Sequence, residues 1–285
     1  MSLRSKPAWR LDRFDLPMTI TFFEKSPQGV REVPRNQSDR LDPARFIWVD
    51  MLSPDANEEA LVETSFGIDA PSEAERAALE ESARFYIEND VLVLNATVMA
   101  RQPPAKTGRV RTDLNQVQHH RQIVSFFLTD TTLITVRNCP LRAFEINAGR
   151  ASANLTLDQG PGDILVSLLE SLIERAADHL GASATELESL NIKVLIGHKQ
   201  VRLETILRRL GQLGAGASQT RDSLASLSRL VRFCVQHLGR FHLPAERLSL
   251  LMTDIDTLQR QVDALKTDLT FVLDSTLGLV SRAKT

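Results

Sequence analysis

Five aspartates, Asp254, Asp256, Asp263, Asp268 and Asp274, decorate one stretch near the end of the chain that keeps an unbroken helical pattern. Asp256 and Asp263 are seven residues apart and Asp254 and Asp268 twice that, so each pair shares a stripe of a helix. Such a stripe has two meanings. On a monomer it is a solvated face that keeps the surface soluble. In a ring of identical subunits each Asp recurs once per subunit, and oxygens so repeated suit hard cations such as magnesium, which keep most of their water and accept a few carboxylates. A bound ion would also offset repulsion between subunits and so link ion binding to assembly.

Other chemistry-bearing residues offer less. Glu73, Glu75, Glu80 and Glu81 follow Pro71 and form an acidic helical face, either solvated or a carboxylate site. His119 and His120 are adjacent at the start of a strand pattern, where neighbouring side chains point to opposite faces and cannot readily share one metal. His179, His198, His237 and His242 show no paired zinc-ligand spacing. Cys139 and Cys234 belong to no CxxC pair and read as inert buried thiols in a reducing compartment. There is no GxSxG, no GxGxxG after a strand and no cysteine with a candidate base, so nothing argues for an enzyme.

The elements that must position these residues change in character along the chain. Met18–Glu24 and Phe46–Asp50 read as buried strands. Between Pro54 and Glu81 the pattern is helical, with Ser53-Pro54 and Pro71-Ser72 as start signals. Arg84–Glu88 and Val91–Ala100 flank Asn89-Asp90, a hairpin turn, and Gln122–Leu128 and Thr132–Arg137 form a second hairpin. The run from Gln102 to Arg111, rich in Pro, Gly and basic residues, reads as a mobile loop. From about Gly160 strand signals give way to three long helical segments, with breaks expected near Gly211–Ala217 and at His242-Leu243-Pro244. Gly214–Ser218 is read as a turn between antiparallel helices; it lacks the lysine and preceding strand of a phosphate loop. In the last segment Leu248, Leu251, Ile255, Leu258, Val262, Leu265, Leu269 and Val272 alternate spacings of three and four, a seam that demands another helix along its length. Fully helical, Ala245 to Ser281 extends over ~50 Å, half of a long hairpin or a stalk. The fold class is α+β: an N-terminal αβα layered domain (18–158) after an N-terminal extension (1–17), then a long helical hairpin and stalk helix (159–285).

Composition sets outer limits. The 285 residues are 42% hydrophobic and 25% charged, ordinary for a globular protein. A net charge of −2 gives no broad field for nucleic acid. No stretch has the ~20 apolar residues of a membrane span, and the N-terminus lacks the apolar centre of a secretory signal, so the stretch reads as soluble.

Several short motifs in succession resemble the CorA family of divalent metal ion transporters. Phe46-Ile47-Trp48-Val49-Asp50 followed by Ser53-Pro54 resembles the opening of its domains. Glu81-Ser82-Ala83-Arg84-Phe85-Tyr86 and Leu133-Ile134-Thr135-Val136-Arg137 are similar to its later segments. Phe271–Ser281 resembles the stretch that in this family runs into the first of two membrane helices, which carry a Gly-Met-Asn signature and lie outside this sequence. The resemblance implies the cytoplasmic sensing and funnel part of a homopentamer that conducts magnesium, often cobalt or nickel, at the cytoplasmic face of the bacterial inner membrane. It implies regulatory Mg2+, with Co2+, Ni2+ or Zn2+ as other ions, bound by carboxylates between subunits and holding the pore closed. By position, Glu75 follows Phe66-Gly67-Ile68 where the family has an acidic site, and Asp274 matches near the pore mouth. The family's stalk aspartate falls on Leu250, so Asp254 or Asp256, one turn on, is expected to substitute. The zinc-transporting ZntB branch shares this architecture and is an alternative. So is a helical scaffold whose seam serves only self-association, with no ion sensing.

Overall fold

A computed structural model of the chain describes residues 19–26, 29–33, 41–70, 75, 84–101, 119–154, 160–195 and 203–283. Strands β1 (Thr19–Ser26), β2 (Gly29–Val33), β3 (Phe46–Leu52), β4 (Phe85–Glu88), β5 (Val91–Arg101), β6 (His119–Leu128) and β7 (Leu133–Arg137) form one sheet. Its order is β2-β1-β3-β7-β6-β5-β4. Only the central β3/β7 pair is parallel, with Trp48 opposite Leu133 and Asp50 opposite Thr135. The β4–β5 turn places Asn89 and Asp90 at φ of 48° and 61°, the left-handed pair a two-residue hairpin turn requires.

Strand alternation divides the sheet's side chains between two apolar layers. On one face Phe22, Val49, Met51, Phe127, Ile134 and Val136 pack with Val62 of helix α1 (Ala56–Phe66) and with Ile68 and Ala70. α1 starts where it does because Asp55 and Glu58 form a reciprocal capping box. On the other face Phe23, Trp48, Leu94, Phe126 and Leu133 belong to a core that continues into α2 (Arg142–Asn154), α3 (Pro161–Leu195), α4 (Leu203–Gln236) and α5 (Ala245–Ala283). The layered α+β architecture expected from the pattern is the one observed.

One polar network interrupts the helix-side face at the β3/β7 join. Arg137 donates to Asp50 from Nε (3.2 Å, to Oδ1) and Nη2 (2.7 Å, to Oδ2). Asp50 Oδ1 also accepts from Thr135 Oγ1 at 2.8 Å, and Thr135 accepts from Trp48 Nε1 at 3.1 Å. The guanidinium donates to the Cys139 carbonyl at 2.9 Å and lies 4.7 Å over the Phe144 ring. Burying these groups is tolerable because each is hydrogen-bonded.

The apolar seam of α5 is buried along its length, from Leu248 to Val272, against α3 and α4. The expected break at His242-Leu243-Pro244 is present: His242 turns the chain at φ 48°, and the Leu243 amide returns to the Leu238 carbonyl at 3.1 Å. The expected break near Gly211–Ala217 is not, and the reading of Gly214–Ser218 as a turn is corrected. α4 runs straight through that stretch. Gly216 serves packing instead: a Cβ there would meet Cε1 of His179 on α3 at 3.1 Å, so a larger residue would have to push the imidazole aside. Strand β2, helix α2 and a short 3-10 turn at Pro43–Arg45 are absent from the sequence reading.

Candidate functional site

Of the four residues read as cation ligands, Asp254 sits in a groove. About 420 Å³ opens between α3 and α5, lined by Glu170, Glu174, Arg247, Leu250, Asp254 and Thr257 among others. The two helices run side by side in the same direction, so Arg247 in the first turn of α5 bonds to Asp163 and Glu170 in the first turns of α3, while Asp254 lies farther along the groove. Arg247 donates to Glu170 through Nε (2.9 Å) and Nη2 (2.8 Å), to Ser167 Oγ at 2.7 Å and to Asp163 Oδ1 at 3.4 Å. The Glu170 carboxylate, with Asp163 near it, holds the Arg247 pKa above its ordinary value against the opposing effect of burial. The guanidinium thus neutralises one end of the groove, and Glu174 and Asp254 line the rest.

The other three lie elsewhere. Glu75 is helical and exposed. Asp256 is half-buried on α5, and Asp274 is exposed towards its end. Asp254 and Asp274 are twenty residues apart on one helix, about 30 Å. One chain therefore does not bring these aspartates together. Among the described residues no three His, Cys, Asp or Glu side chains are grouped to hold a metal ion. Leu250, where the family resemblance places a stalk aspartate, is 65% exposed on the groove wall, one turn before Asp254.

Glu170, Glu174 and Arg247 escaped the sequence reading. A signal for Arg247 existed: a cation in the first turn of a helix opposes the helix dipole and calls for carboxylates nearby. The outer surface of α5 carries a row of hydroxyls as well. Thr253, Thr257, Thr267 and Thr270 are exposed, and each donates to the carbonyl four residues back at 2.9–3.2 Å.

A larger cavity of about 980 Å³ opens between α3, α4, the start of α2 and the end of β5. Its charged groups are paired: Arg142 with Glu145, Arg175 with Asp178, Arg209 with Glu186. His179 lies in its wall with Nδ1 3.1 Å from Thr220 Oγ1, and burial lowers its pKa. Burial pushes the Cys234 thiol up to about 12 and the Cys139 thiol up to about 11, so neither is an activated nucleophile. Among the described residues no helix is long and apolar enough to cross a membrane.

Comparison with known proteins gives the same direction throughout. The family model for CorA-like Mg2+ transporter proteins matches residues 43–283. The magnesium transport protein CorA of Salmonella typhimurium is 24% identical over 238 residues, which cover 82% of this chain and 71% of that protein. The protein of the same name from Escherichia coli strain K12 matches at 24% over the same length. Among solved structures, the complete CorA magnesium transporter of Methanocaldococcus jannaschii aligns at a TM-score of 0.68 and 16% identity, over 93% of this chain and 78% of that one. The ZntB cytoplasmic domain of Vibrio parahaemolyticus aligns at 0.67 and 10% identity, over 94% and 99%.

Proposed function

Because the chain belongs to the family of CorA-like Mg2+ transporter proteins, we propose that it forms the regulatory and funnel part of a magnesium or cobalt transport protein, responding to divalent cations at carboxylates between subunits and so gating the pore. The observation that carries this reading is α5. It is 39 residues long, its seam is fully engaged within the chain, and its outer face keeps carboxylates and hydroxyls in water. The same helix exposes Leu250, Phe271 and Leu277, apolar surface that contacts with copies of itself, here in a ring of five, would cover, leaving its carboxylates and hydroxyls to line a polar funnel. In this reading the ring stands at the cytoplasmic face of the inner membrane. Asp254 at the groove, Asp256 on the adjoining face, Asp274 near the pore end and Glu75 on the facing layer supply oxygens. Hydrated magnesium needs few of them from each subunit.

Calorimetric titration with magnesium, paired with native mass measurement, tests the proposal. Binding and assembly both responding at millimolar magnesium are expected, and Ala at Asp254, Asp256 or Glu75 should weaken the response. A heat-silent titration with unchanged mass would sink it.

The ZntB branch is a second reading, favoured by the fold match to a ZntB cytoplasmic domain. Zinc sites draw mainly on His and Cys, whereas the groove offers carboxylates, which favours magnesium. Tighter binding of zinc than of magnesium, lost on replacing a histidine, would reverse that preference.

A further inference from the structure

The start of α5 is held from three sides. Gly162 on α3 lies under the α4–α5 turn so closely that a Cβ would meet the His242 carbonyl and the Leu243 side chain at 3.2 Å. Phe85 of β4 packs on Phe233 of α4 at 6.0 Å between centroids, Phe233 on His237 at 4.7 Å, and Asp90 of the hairpin pairs with Arg240. The third hold is Arg247.

The three differ in kind. The first is backbone in close contact, and the second is mainly ring packing. The third is made of charged and polar groups that water reaches: the side chains of Arg247, Glu170 and Asp163 are 30%, 33% and 26% exposed. Its acceptors Asp163, Ser167 and Glu170 are spaced four and three apart, one stripe of α3. The forked guanidinium matches that stripe as a lysine ammonium cannot. A bond so placed responds to salt, to competing cations and to a shift of α3 along α5; of the other contacts only the Asp90–Arg240 pair, 89% and 49% exposed, shares the sensitivity to salt, and it does not touch α3.

We propose that Arg247 is a latch, a positioning residue that sets how the first turns of α5 lie against α3, and that cations at the groove loosen it by competing for Glu170. The competition rests on the ion-sensing reading above; the latch does not. A cation drawn to Asp254 and Glu174 enters beside the Glu170 carboxylate and takes part of the charge that holds Arg247. The head of α5 is then freer to move while its seam stays closed.

Hydrogen exchange read by mass spectrometry on the whole chain tests both parts. In magnesium-free buffer, Arg247→Met should speed exchange of the amides of residues 245–254 about tenfold, with residues 262–276 and the sheet unchanged. Arg247→Lys should fall between, and the double exchange Glu170→Arg/Arg247→Glu should restore part of the protection. Unchanged exchange at 245–254, or equal acceleration across the chain, overturns the latch. Should Arg247→Met not fold, Arg247→Lys and Glu170→Gln carry the same test, and no local change in either overturns it. Magnesium added to the wild-type chain should speed exchange at 245–254. If it binds by calorimetry yet leaves these amides alone, the competition is overturned and the latch is not. If it does not bind at all, the sensing reading fails by itself.

Discussion

Arg137 on β7 and Arg247 on α5 make the same two-pronged bond to a carboxylate, yet their surroundings differ in nearly every other respect. Arg137 and Asp50 have side chains 8% and 9% exposed, and Thr135, the Cys139 carbonyl and the Phe144 ring complete their shell. Arg247 and Glu170, 30% and 33% exposed, face a solvent-accessible groove, with further acceptors at Ser167 and Asp163. Removing one partner from the first leaves a charge without water. Removing one from the second leaves a charge that solvent can reach. The comparison teaches that one chemical pairing serves two ends, registering the parallel strands of the sheet in one place and leaving the long helix adjustable in the other.

The sharpest way to break this contrast is Arg137→Met. It should cost about 3–5 kcal/mol of unfolding free energy in urea, because Asp50 stays buried and uncompensated. A loss near ~1 kcal/mol, as for an exposed pair, would erase the distinction. Next in size, Ile255→Ala in the buried seam should cost about 2–5 kcal/mol, whereas Leu250→Ala on the groove wall should stay within ~0.5 kcal/mol. Equal losses at the two positions would mean that the groove closes in solution. Smaller again, Arg247→Met should lower global stability by about 1 kcal/mol or less, a difference that shrinks as sodium chloride is raised. The Arg137→Met difference should hardly respond to salt.

The smallest effects lie in pH. Arg45, with Arg31, holds the Glu24 carboxyl below its ordinary 4.5. The unfolded chain therefore binds that proton more readily, and the stabilisation is present above about pH 4.5 and lost as pH falls through the folded value. Glu24→Gln should flatten that acid limb. Burial holds His179 below its ordinary 6.5, so its contribution is likewise present above about pH 6.5 and lost as pH falls through the folded value. His179→Gln should remove a slope at higher pH than Glu24→Gln does. Urea midpoints measured across pH separate the two, and superimposable profiles would discard both assignments.

What could be read from the residues alone depended on how local the cause was. The seam of α5 and the hairpin at Asn89-Asp90 were legible because period and turn chemistry lie within one window. β2 was not: Gly29–Val33 has no clean alternation, and it is held through its ladder to β1, the buried Val30 and the Arg31–Glu24 pair across the strands. Gly214–Ser218 carries the composition of a turn, but the helix runs through it, and His179, on another helix, packs against Gly216. The groove shows the same limit. Asp254 could be picked from its stripe, whereas Glu170 and Arg247 lie 77 residues apart and meet only through the register of α3 against α5.

The threonines of α5 have a further consequence. Each exposed hydroxyl spends its proton on the carbonyl four residues back, at Thr253, Thr257, Thr267 and Thr270. What Thr253, Thr267 and Thr270 turn outward is lone pairs, the same polarity as the neighbouring aspartates, whereas the Thr257 oxygen also accepts from Arg260 Nη2 at 3.1 Å. Water meeting that row must arrive hydrogens first, which is the orientation the hydration shell of a metal cation presents, and anions find no donor among those hydroxyls. The chemical sign of the surface is thus written partly in uncharged groups, and neither acid nor salt will erase that part of it.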